Sequence, residues 1–295
     1  MPPVMMEGFR TMNYDAEARR SLARIASAKP LIHQITNLVV TNDSANLTLG
    51  FGALPVMAYA PEEVAEMASL SQALVLNIGT LSVGEIAAML LAGHAAAMAR
   101  IPIVLDPVGA GATQFRTESA LRLLNELPIT VLRGNRGEIG ALLGSGEVRG
   151  VEAVGHEDPA AVAAAASHRF GVTTAVTGAV DVVVSGGRAL SVANGDPMLA
   201  TITGSGCMAT AAIGIFLTAG DDPLLQAALA LGSYGLAAER AAVGVPGPGT
   251  FRARLLDEVA ALTTTGVSGL RITAEPDRTA TRIDGASNIA GERRR

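Results

Sequence analysis

The sequence predicts an α/β fold in which a mainly parallel central sheet is flanked by helices. Short runs rich in β-branched residues alternate with longer alanine-rich segments, which is the pattern of repeated strand–helix units. Of the 295 residues, 49% are hydrophobic but only 3% are aromatic, and there is no Trp. The core is therefore predicted to consist of Ala, Val, Leu, Ile and Met, whose small side chains let helices pack closely against a sheet.

Six β-branched or apolar runs are predicted strands, and two more are predicted to form a hairpin. The six strands are residues 31–36, 55–59, 73–78, 103–107, 130–133 and 173–177. The hairpin joins residues 181–184 to residues 189–193, because Gly186 and Gly187 between them favour a tight turn.

The alanine-rich segments between the strands are predicted helices. Residues 61–63 read Pro-Glu-Glu, a good helix start with proline in the first turn and acids at the positive end of the dipole. A further helix is expected to open at residues 42–44, and another after residue 135. The remaining predictions are helices at 61–71, 83–100, 117–126, 159–170, 206–218, 224–242 and 248–264.

Composition sets the predicted domain limits. Residues 271–295 are polar and rich in Arg, Thr and Gly, so they are predicted to be a disordered tail. Residues 1–20 are predicted to be an extension, either loosely attached or a first helix. Residues 21–270 between them form one predicted domain.

Charge and cysteine content exclude several function classes. A net charge of −5 argues against nucleic acid as a partner, because binding phosphates requires clustered Lys and Arg. The single cysteine, Cys207, excludes an intramolecular disulfide framework and fits a reducing compartment. Residues 197–220 and 223–238 carry no formal charge, but their Gly, Ser, Thr and Gln content favours buried helices over membrane spans. We therefore predict a cytoplasmic protein without a membrane partner.

Residues 203–207 read Thr-Gly-Ser-Gly-Cys and run directly into an apolar helical segment. Glycines at the start of a helix leave backbone N–H groups unpaired and unshielded, and these groups form an anion site suited to a phosphoryl group. The lysine and spacing of a Walker A loop are absent. The alternative interpretation is a tight packing turn with a buried, inert cysteine.

Polar residues also follow two other predicted strands. Asp106 ends the apolar run IVLD, and ligands of open parallel sheets bind at such strand ends. Its carboxylate is suited to bind Mg²⁺ through water. The alternative interpretation is that Asp106 caps a turn. Arg133 ends the next strand and is positioned to neutralise a phosphate. Asn135 and Glu138 either arrange metal-bound water or form a capping box, and both roles are compatible.

The first strand reads LIHQIT and ends in polar residues. His33 lies inside this strand, so we interpret it as a hydrogen-bonded structural histidine rather than a base. Met57, in PVM at residues 55–57, offers a soft apolar contact that suits either a heterocycle or the core.

Taken in order, these segments resemble the hydroxyethylthiazole kinase family of thiamine salvage, a ribokinase-like group. The resemblance covers about residues 25–264 and is carried by HQITNLVVTNDSANLTLGFGALPVMA, DPVGAGAT, RGNRGEI, VTG and TITGSGCMATAAIG. It implies a three-layer ribokinase-like α/β fold and a homotrimer with active sites at subunit interfaces. It also implies ATP and Mg²⁺, and a thiazole alcohol, 5-(2-hydroxyethyl)-4-methylthiazole, as the acceptor.

The resemblance also assigns site residues. It implies that the thiazole pocket contains Asn37, Val39, Met57 and Gly204. It implies ATP contacts from Arg133 and Thr177, next to the glycine segment Gly204, Ser205 and Gly206, with Asp106 and Glu138 near the metal and phosphates.

Cys207 stands where other ribokinase-like kinases have an aspartate base. A thiol is a poor base at its ordinary pKa of about 8.5, although a helix N-terminus lowers that pKa. Phosphoryl transfer depends mainly on positioning and charge stabilisation, so a weak base suffices. We therefore assign Cys207 to the substrate pocket and as the candidate base, and Arg133 as the second candidate catalytic residue.

Two departures from the family pattern leave alternatives open. Asp196 stands where the pattern often has His, and Ser205 replaces a common Thr. One alternative is another ribokinase-like activity, such as a hydroxymethylpyrimidine or sugar kinase or an ATP-dependent hydrate dehydratase. The other is a nucleotide-binding protein without catalysis. The pocket-lining segment 32–57 argues against the first, and retention of Asp106, Arg133, Glu138 and Cys207 against the second.

Overall fold

A nine-stranded sheet forms the centre of the computed structural model, which describes residues 8–9, 11–144 and 158–275. The strand order is β2-β1-β3-β4-β5-β6-β7-β8-β9. Strands β2 to β6 in this order are parallel, whereas β7, β8 and β9 continue the sheet antiparallel. The strands are β1 Leu31–Ile35, β2 Leu54–Val56, β3 Ala73–Asn77, β4 Ile103–Asp106, β5 Val131–Asn135, β6 Thr173–Thr177, β7 Asp181–Ser185, β8 Arg188–Val192 and β9 Ile272–Glu275.

Helices cover both faces of the sheet, which confirms the predicted three-layer α/β fold. One face packs against α1, α2, α8, α9 and α10, and the other against α3 to α7. Successive side chains of a strand point to opposite faces of the sheet, so Val104 packs in the core on the first face and Leu105 in the core on the second. The helices are α1 Tyr14–Ala28, α2 Thr41–Gly50, α3 Val64–Leu70, α4 Val83–Ala99, α5 Gln114–Glu126, α6 Arg136–Gly144, α7 Pro159–Phe170, α8 Ser205–Phe216, α9 Pro223–Ala242 and α10 Pro248–Thr265.

The helices α8 and α9 make up most of the two charge-free segments and are largely buried, as predicted, whereas residues 197–204 before α8 form a short 3-10 helix and a turn without buried residues. Residues 208–216 of α8 are all buried. A Cβ atom added at Gly214 would lie 2.6 Å from Val75 Cγ2, so the glycine allows α8 to press directly on the sheet. Within the described residues, no helix is long and apolar enough to cross a membrane.

The structure extends the predicted domain at both ends, and of the two alternatives for residues 1–20 it shows a first helix. Helix α1 begins at Tyr14, Ala18 is buried in the core, and Asp15 accepts hydrogen bonds from the backbone of residues 269 and 270. Strand β9 pairs with β8, so residues 272–275 belong to the sheet and not to a disordered tail. Its polar sequence hid the strand because only Ile272 and Ala274 contact the core. The rest of the predicted tail, residues 276–295, lies outside the described residues.

The parallel register aligns the carboxyl ends of β1, β3, β4, β5 and β6 at one edge of the sheet. Asn77 pairs with Asp106, and Asn135 pairs with Thr177. Polar residues that end different strands are therefore neighbours, which is where an open parallel sheet binds ligands.

Candidate active site

A row of side chains joined by hydrogen bonds and an ion pair crosses five neighbouring strands near their carboxyl ends; Arg133 does not end β5 as predicted but lies two residues before its end. Asn37 follows β1 and donates to Asn77 Oδ1 at 2.8 Å; Asn77 in turn donates to Asp106 Oδ2 at 2.8 Å. Arg133 Nη1 lies 3.6 Å from the same Asp106 oxygen, and Arg133 Nη2 donates to Thr177 Oγ1 at 2.5 Å. We call these five residues the strand-end row.

Asp106 is the one acid of the row, and it has no exposed surface. Thr210, on α8, also donates to its Oδ2 at 2.8 Å, whereas its Oδ1 has no hydrogen-bond partner. Burial raises the pKa of Asp106 to about 6, although the Arg133 guanidinium works in the opposite direction. The unpartnered Oδ1 is free to bind a cation or an ordered water.

Arg133 lies under the first turn of α8. A Cβ atom added at Gly206 would be only 2.7 Å from Arg133 Nη1 and 2.9 Å from Nη2. The start of α8 therefore depends on glycine to admit the guanidinium. The result is a buried cation next to the positive end of a helix, the arrangement predicted for binding a phosphoryl group.

Gly204 precedes α8 in a left-handed conformation, with φ of 81°. A Cβ atom there would lie 2.0 Å from Val40 Cγ1, so the loop after β1 packs directly on this glycine. This contact brings the segment that carries Asn37 against the start of α8.

Cys207, in the first turn of α8, is partly buried and accepts a hydrogen bond from Asn37 Nδ2 at 3.3 Å. Burial raises the pKa of its thiol, and Asp106 raises it further; the amides of Asn37 and Asn77 and the charge of Arg133 oppose these effects. The thiol is therefore neutral in the free chain at pH 7, so the lowering expected from the helix N-terminus does not prevail.

Glu138 and Asn135 form the predicted capping box. The backbone N–H of Glu138 donates to Asn135 Oδ1 at 3.0 Å, and that of Asn135 donates to Glu138 Oε2 at 2.9 Å. The other oxygen, Oε1, accepts from the backbone of Gly109 at 2.9 Å. Glu138 thus ties the DPVGAGAT loop to α6, and its charge contributes to the raised pKa of Asp106.

The residues predicted for the thiazole side lie on the β1–β2 flank of the row. Val39 is 60% exposed and its N–H donates to Asn37 Oδ1. Met57 follows β2 and is half-buried. His33 is fully buried with Nε2 2.9 Å from the Ala58 carbonyl oxygen, which confirms its structural interpretation.

A cavity of about 740 Å³ opens on the other flank of the row. It includes four predicted nucleotide-side residues, Arg133, Thr177, Ser205 and Gly206. This volume is within the range of small-molecule sites. Other lining residues were not predicted: Asp181, Asn194, Tyr234 and Gly235; Asp196 had been noted only as a departure.

Asp181 is half-buried in this cavity, and its Oδ1 accepts from the backbone of Gly178 at 2.9 Å. Burial raises its pKa to about 6, whereas the Gly178 hydrogen bond and Arg133 oppose this. Sequence analysis treated it only as the first residue of a hairpin strand. Asn77 and Thr210 were also missed, although Asn77 ends the run ALVLN just as Asp106 ends IVLD.

A second hydrogen-bonded cluster holds the cavity wall. Glu239, on α9, accepts from the backbone of Gly195 at 2.7 Å and from Asn194 at 3.2 Å. The guanidinium of Arg271, just before β9, donates two hydrogen bonds to Glu239, at 2.6 and 3.1 Å. The backbone N–H of Arg271 donates to Asn194 Oδ1 at 2.7 Å. The segment predicted as a tail therefore braces the loop that borders the cavity.

Only a sparse set of protein ligands is available for a metal. Among residues 8–9, 11–144 and 158–275, no group of three or more His, Cys, Asp or Glu side chains is placed to hold an ion. Mg²⁺ needs no such group, because it keeps several waters and binds through one or two carboxylates plus substrate phosphates. The unpartnered, buried Oδ1 of Asp106 fits that requirement.

Comparisons with known proteins point to a single family. The sequence model described as the Hydroxyethylthiazole kinase family matches residues 22–265. A hydroxyethylthiazole kinase from Desulforudis audaxviator is 58% identical over 245 residues, which cover 82% of this chain and 90% of the relative. One from Rubrobacter xylanophilus is 53% identical over 83% of this chain and 92% of its own length.

Solved structures agree with these sequences. The hydroxyethylthiazole kinase of Pyrococcus horikoshii has a TM-score of 0.81 and 41% identity, over 88% of this chain and all of that one. The pyridoxal kinase of Staphylococcus aureus, in complex with pyridoxal, has a TM-score of 0.57 at 15% identity, over 84% of this chain and 98% of that one. This second likeness concerns the fold alone, and it confirms the ribokinase-like architecture.

Proposed function

The chain belongs to the hydroxyethylthiazole kinase family, and we propose that the strand-end row transfers the γ-phosphoryl group of ATP to the hydroxyl of 5-(2-hydroxyethyl)-4-methylthiazole. The kinase activity in thiamine salvage follows from family membership over residues 22–265. The comparisons give no support to a hydroxymethylpyrimidine or sugar kinase, or to a non-catalytic nucleotide-binding protein.

One observation supports the assignment of the site above all others. The Arg133 guanidinium lies next to both the start of α8 and Asp106. The cavity opens on one side of it, and the Asn37–Cys207 pair lies on the other. Phosphoryl transfer requires little covalent chemistry from a protein, but it requires positive charge where the transferring group passes. The guanidinium beneath Gly206 supplies that charge next to bare helix amides.

We assign the nucleotide to the cavity that Arg133, Thr177, Ser205 and Gly206 line. Asp106 would hold Mg²⁺ through its unpartnered oxygen, with Glu138 close enough to add negative charge. When bound, this ion neutralises charge on the phosphates. Arg133 and the first amides of α8 orient the terminal phosphoryl group toward Cys207.

We assign the acceptor to the side of Asn37, Val39, Met57, Gly204 and Cys207. The neutral Cys207 thiol, held beside the Asn37 amide, offers a weak S–H donor and a soft contact to a heterocycle carrying an alcohol. Because the pKa of the thiol is raised, Cys207 acts mainly as a pocket residue that positions the hydroxyl.

We further propose a cytoplasmic homotrimer with its active sites between subunits. Exposed apolar side chains on the acceptor flank support this assembly: Leu38 is 74% exposed, Val39 60% and Leu54 44%. A neighbouring subunit that covered them would close the acceptor pocket from solvent. The single cysteine fits a reducing compartment.

The test is ATP consumption by the purified chain with Mg²⁺ and a panel of alcohols: the thiazole alcohol, hydroxymethylpyrimidine and a hexose. We expect ADP release to depend on the thiazole alcohol, with its phosphate ester identified by mass. Faster phosphorylation of another alcohol would overturn the substrate assignment. ATP consumption that no alcohol changes would overturn the kinase assignment.

A further inference from the structure

Asn77 is the second residue of the strand-end row, between Asn37 and Asp106, and the functional assignment gives it no role. It is 2% exposed and lies between the acceptor flank and the buried acid. Its Oδ1 accepts from Asn37 Nδ2 at 2.8 Å and from the Gly79 backbone at 3.0 Å, while its Nδ2 donates to Asp106 Oδ2 at 2.8 Å. The described contacts join Asn37 to Asp106 through this one side chain.

Backbone groups fix the orientation of both asparagine amides. The Gly79 N–H can only donate, so it must meet the Asn77 oxygen, and the Asn77 amide nitrogen then faces Asp106. The Val39 N–H likewise fixes the Asn37 oxygen, which leaves the Asn37 amide nitrogen for Asn77 and for Cys207 Sγ. The chain of donors therefore has one consistent direction, from Asn37 toward Asp106.

Packing holds the pair in this arrangement. A Cβ atom added at Gly79 would lie 2.7–2.8 Å from three atoms of the Asn37 side chain. The glycine thus lets Asn37 approach the backbone beside Asn77. Neither amide can turn over without leaving a buried polar group unpaired, which is expensive in a dry site.

We propose that Asn77 is a positioning residue that fixes the distance between the acceptor side of the site, Asn37 with Cys207, and the phosphoryl side, Asp106 with Arg133. This inference rests on the proposed function, because it gives the two sides their meaning. Misplacing a reacting group by about 1 Å can slow an enzyme on the order of a hundredfold, so a rigid link has a direct kinetic value.

The first experiment is Asn77→Leu, which conserves volume approximately and removes all three hydrogen bonds. We expect kcat to fall on the order of tenfold or more. The dissociation constants of ATP and of the thiazole alcohol, each measured alone by calorimetry, should change less than about threefold, because each ligand keeps its own side of the site. The matched control is Asn46→Leu, since Asn46 is an exposed asparagine with one side-chain hydrogen bond, to Asn42.

The second experiment tests the connection between Asn77 and Cys207 without relying on the kinase reaction. Cys207 is the only cysteine, so the rate of alkylation by iodoacetamide reports on this thiol alone. We expect Asn77→Leu to change that rate by about threefold or more, because loss of a hydrogen bond to a charged form changes an equilibrium on this order. In an Asn37→Ala background the effect of Asn77→Leu should become smaller but not vanish, since the Asn77 amide acts on the thiol both directly and through Asn37.

Asn77→Asp serves if the leucine variant does not fold. The aspartate keeps an oxygen for Asn37 and Gly79, but it places a second acid beside Asp106 Oδ2 in place of the amide donor. We therefore expect kcat to stay reduced and alkylation of Cys207 to slow, because nearby negative charge disfavours the thiolate. Turnover within twofold of wild type in the folded variants, or an alkylation effect of Asn77→Leu that is as large without Asn37 as with it, would overturn the proposal. If the thiazole alcohol is no substrate, the proposed function fails alone, and the alkylation pattern still decides the position of Asn77.

Discussion

The close approach of Gly206 to Arg133 makes Gly206→Ala a sharp test of the phosphoryl site. The added methyl group would lie 2.7 Å from Arg133 Nη1 and 2.9 Å from Nη2, well inside contact distance. The guanidinium is the far end of a flexible side chain, so it can move while the helix stays. Movement would break its hydrogen bond to Thr177 and its 3.6 Å ion pair with Asp106.

Gly206→Ala should affect the stability of the fold and the rate of turnover differently. Alanine is favoured over glycine by roughly 1 kcal/mol in a helix interior, and Gly206, the second residue of α8, gains only part of this to offset the cost of moving Arg133. The transferring phosphoryl group, however, would lose its positioned cation. Loss of one such charge-stabilising group costs about 2.7–4 kcal/mol of transition-state stabilisation, or on the order of a hundredfold to a thousandfold in turnover.

The assay pairs steady-state ADP release with a thermal melt, and the control is Gly140→Ala. Gly140 also lies in a helix, α6, but a Cβ atom there meets no atom within 4 Å. We expect the control to keep full activity and Gly206→Ala to fold but turn over slowly. If Gly206→Ala retains more than a third of wild-type turnover, the guanidinium under α8 does not act on the transferring group.

The remaining predictions address one side chain each. Arg133→Ala should reduce turnover on the order of a hundredfold or more in a folded protein, and near-normal steady-state rates would remove this residue from the mechanism. Cys207→Ser should keep the fold and alter kcat; a variant that is unfolded by circular dichroism would instead mark a structural core thiol. Glu239→Gln should raise the KM for ATP more than that for the acceptor, because Glu239 braces the cavity wall at Gly195; equal changes would contradict this. Burial lowers the pKa of His33, so the stability it contributes is present above its unfolded pKa of about 6.5 and is lost as pH falls. Urea unfolding at pH 7.5 and 5.0 should therefore show wild type losing stability relative to His33→Gln on acidification, and a constant difference would refute the neutral buried histidine.

Sequence patterns predicted the parallel part of the fold well where local signals coincide. Helix α7 spans Pro159–Phe170 as predicted, because Asp158 caps it, proline starts it and Gly171 ends it in a left-handed conformation. The Asn135–Glu138 capping box was predicted from spacing alone. Such signals lie within a few residues of each other, so they need no knowledge of the tertiary structure.

Helix α1 has local signals, an Asn13 cap and buried residues at helical spacing, so a first helix was one of the predicted alternatives. Its inclusion in the domain depends on Asp15, which meets a backbone more than 250 residues away. Strand β9 is short and polar, and it is recognisable only once β8 offers an edge. Neither contact leaves a pattern in the local sequence.

The site shows the same division between local and tertiary information. Asp106 and Arg133 were predicted because a charge at the end of an apolar strand is conspicuous, whereas Asn77 in the same position of β3 is neutral and drew no notice. The rule that identified the charged residues applies equally to Asn77, since it concerns position at the sheet edge and not charge.

Cys207 shows that the position of a residue in the sequence does not determine the pKa of its side chain. Its place in the first turn of α8 predicts a lowered thiol pKa, yet burial and the nearby Asp106 raise that pKa. Which effect prevails depends on how much water reaches the thiol, and the surrounding fold decides that. A neutral thiol cannot accept the alcohol proton efficiently before transfer begins. The proposed mechanism therefore assigns charge stabilisation to Arg133 and the α8 amides, and it predicts that losing Arg133 slows turnover far more than replacing Cys207 by serine.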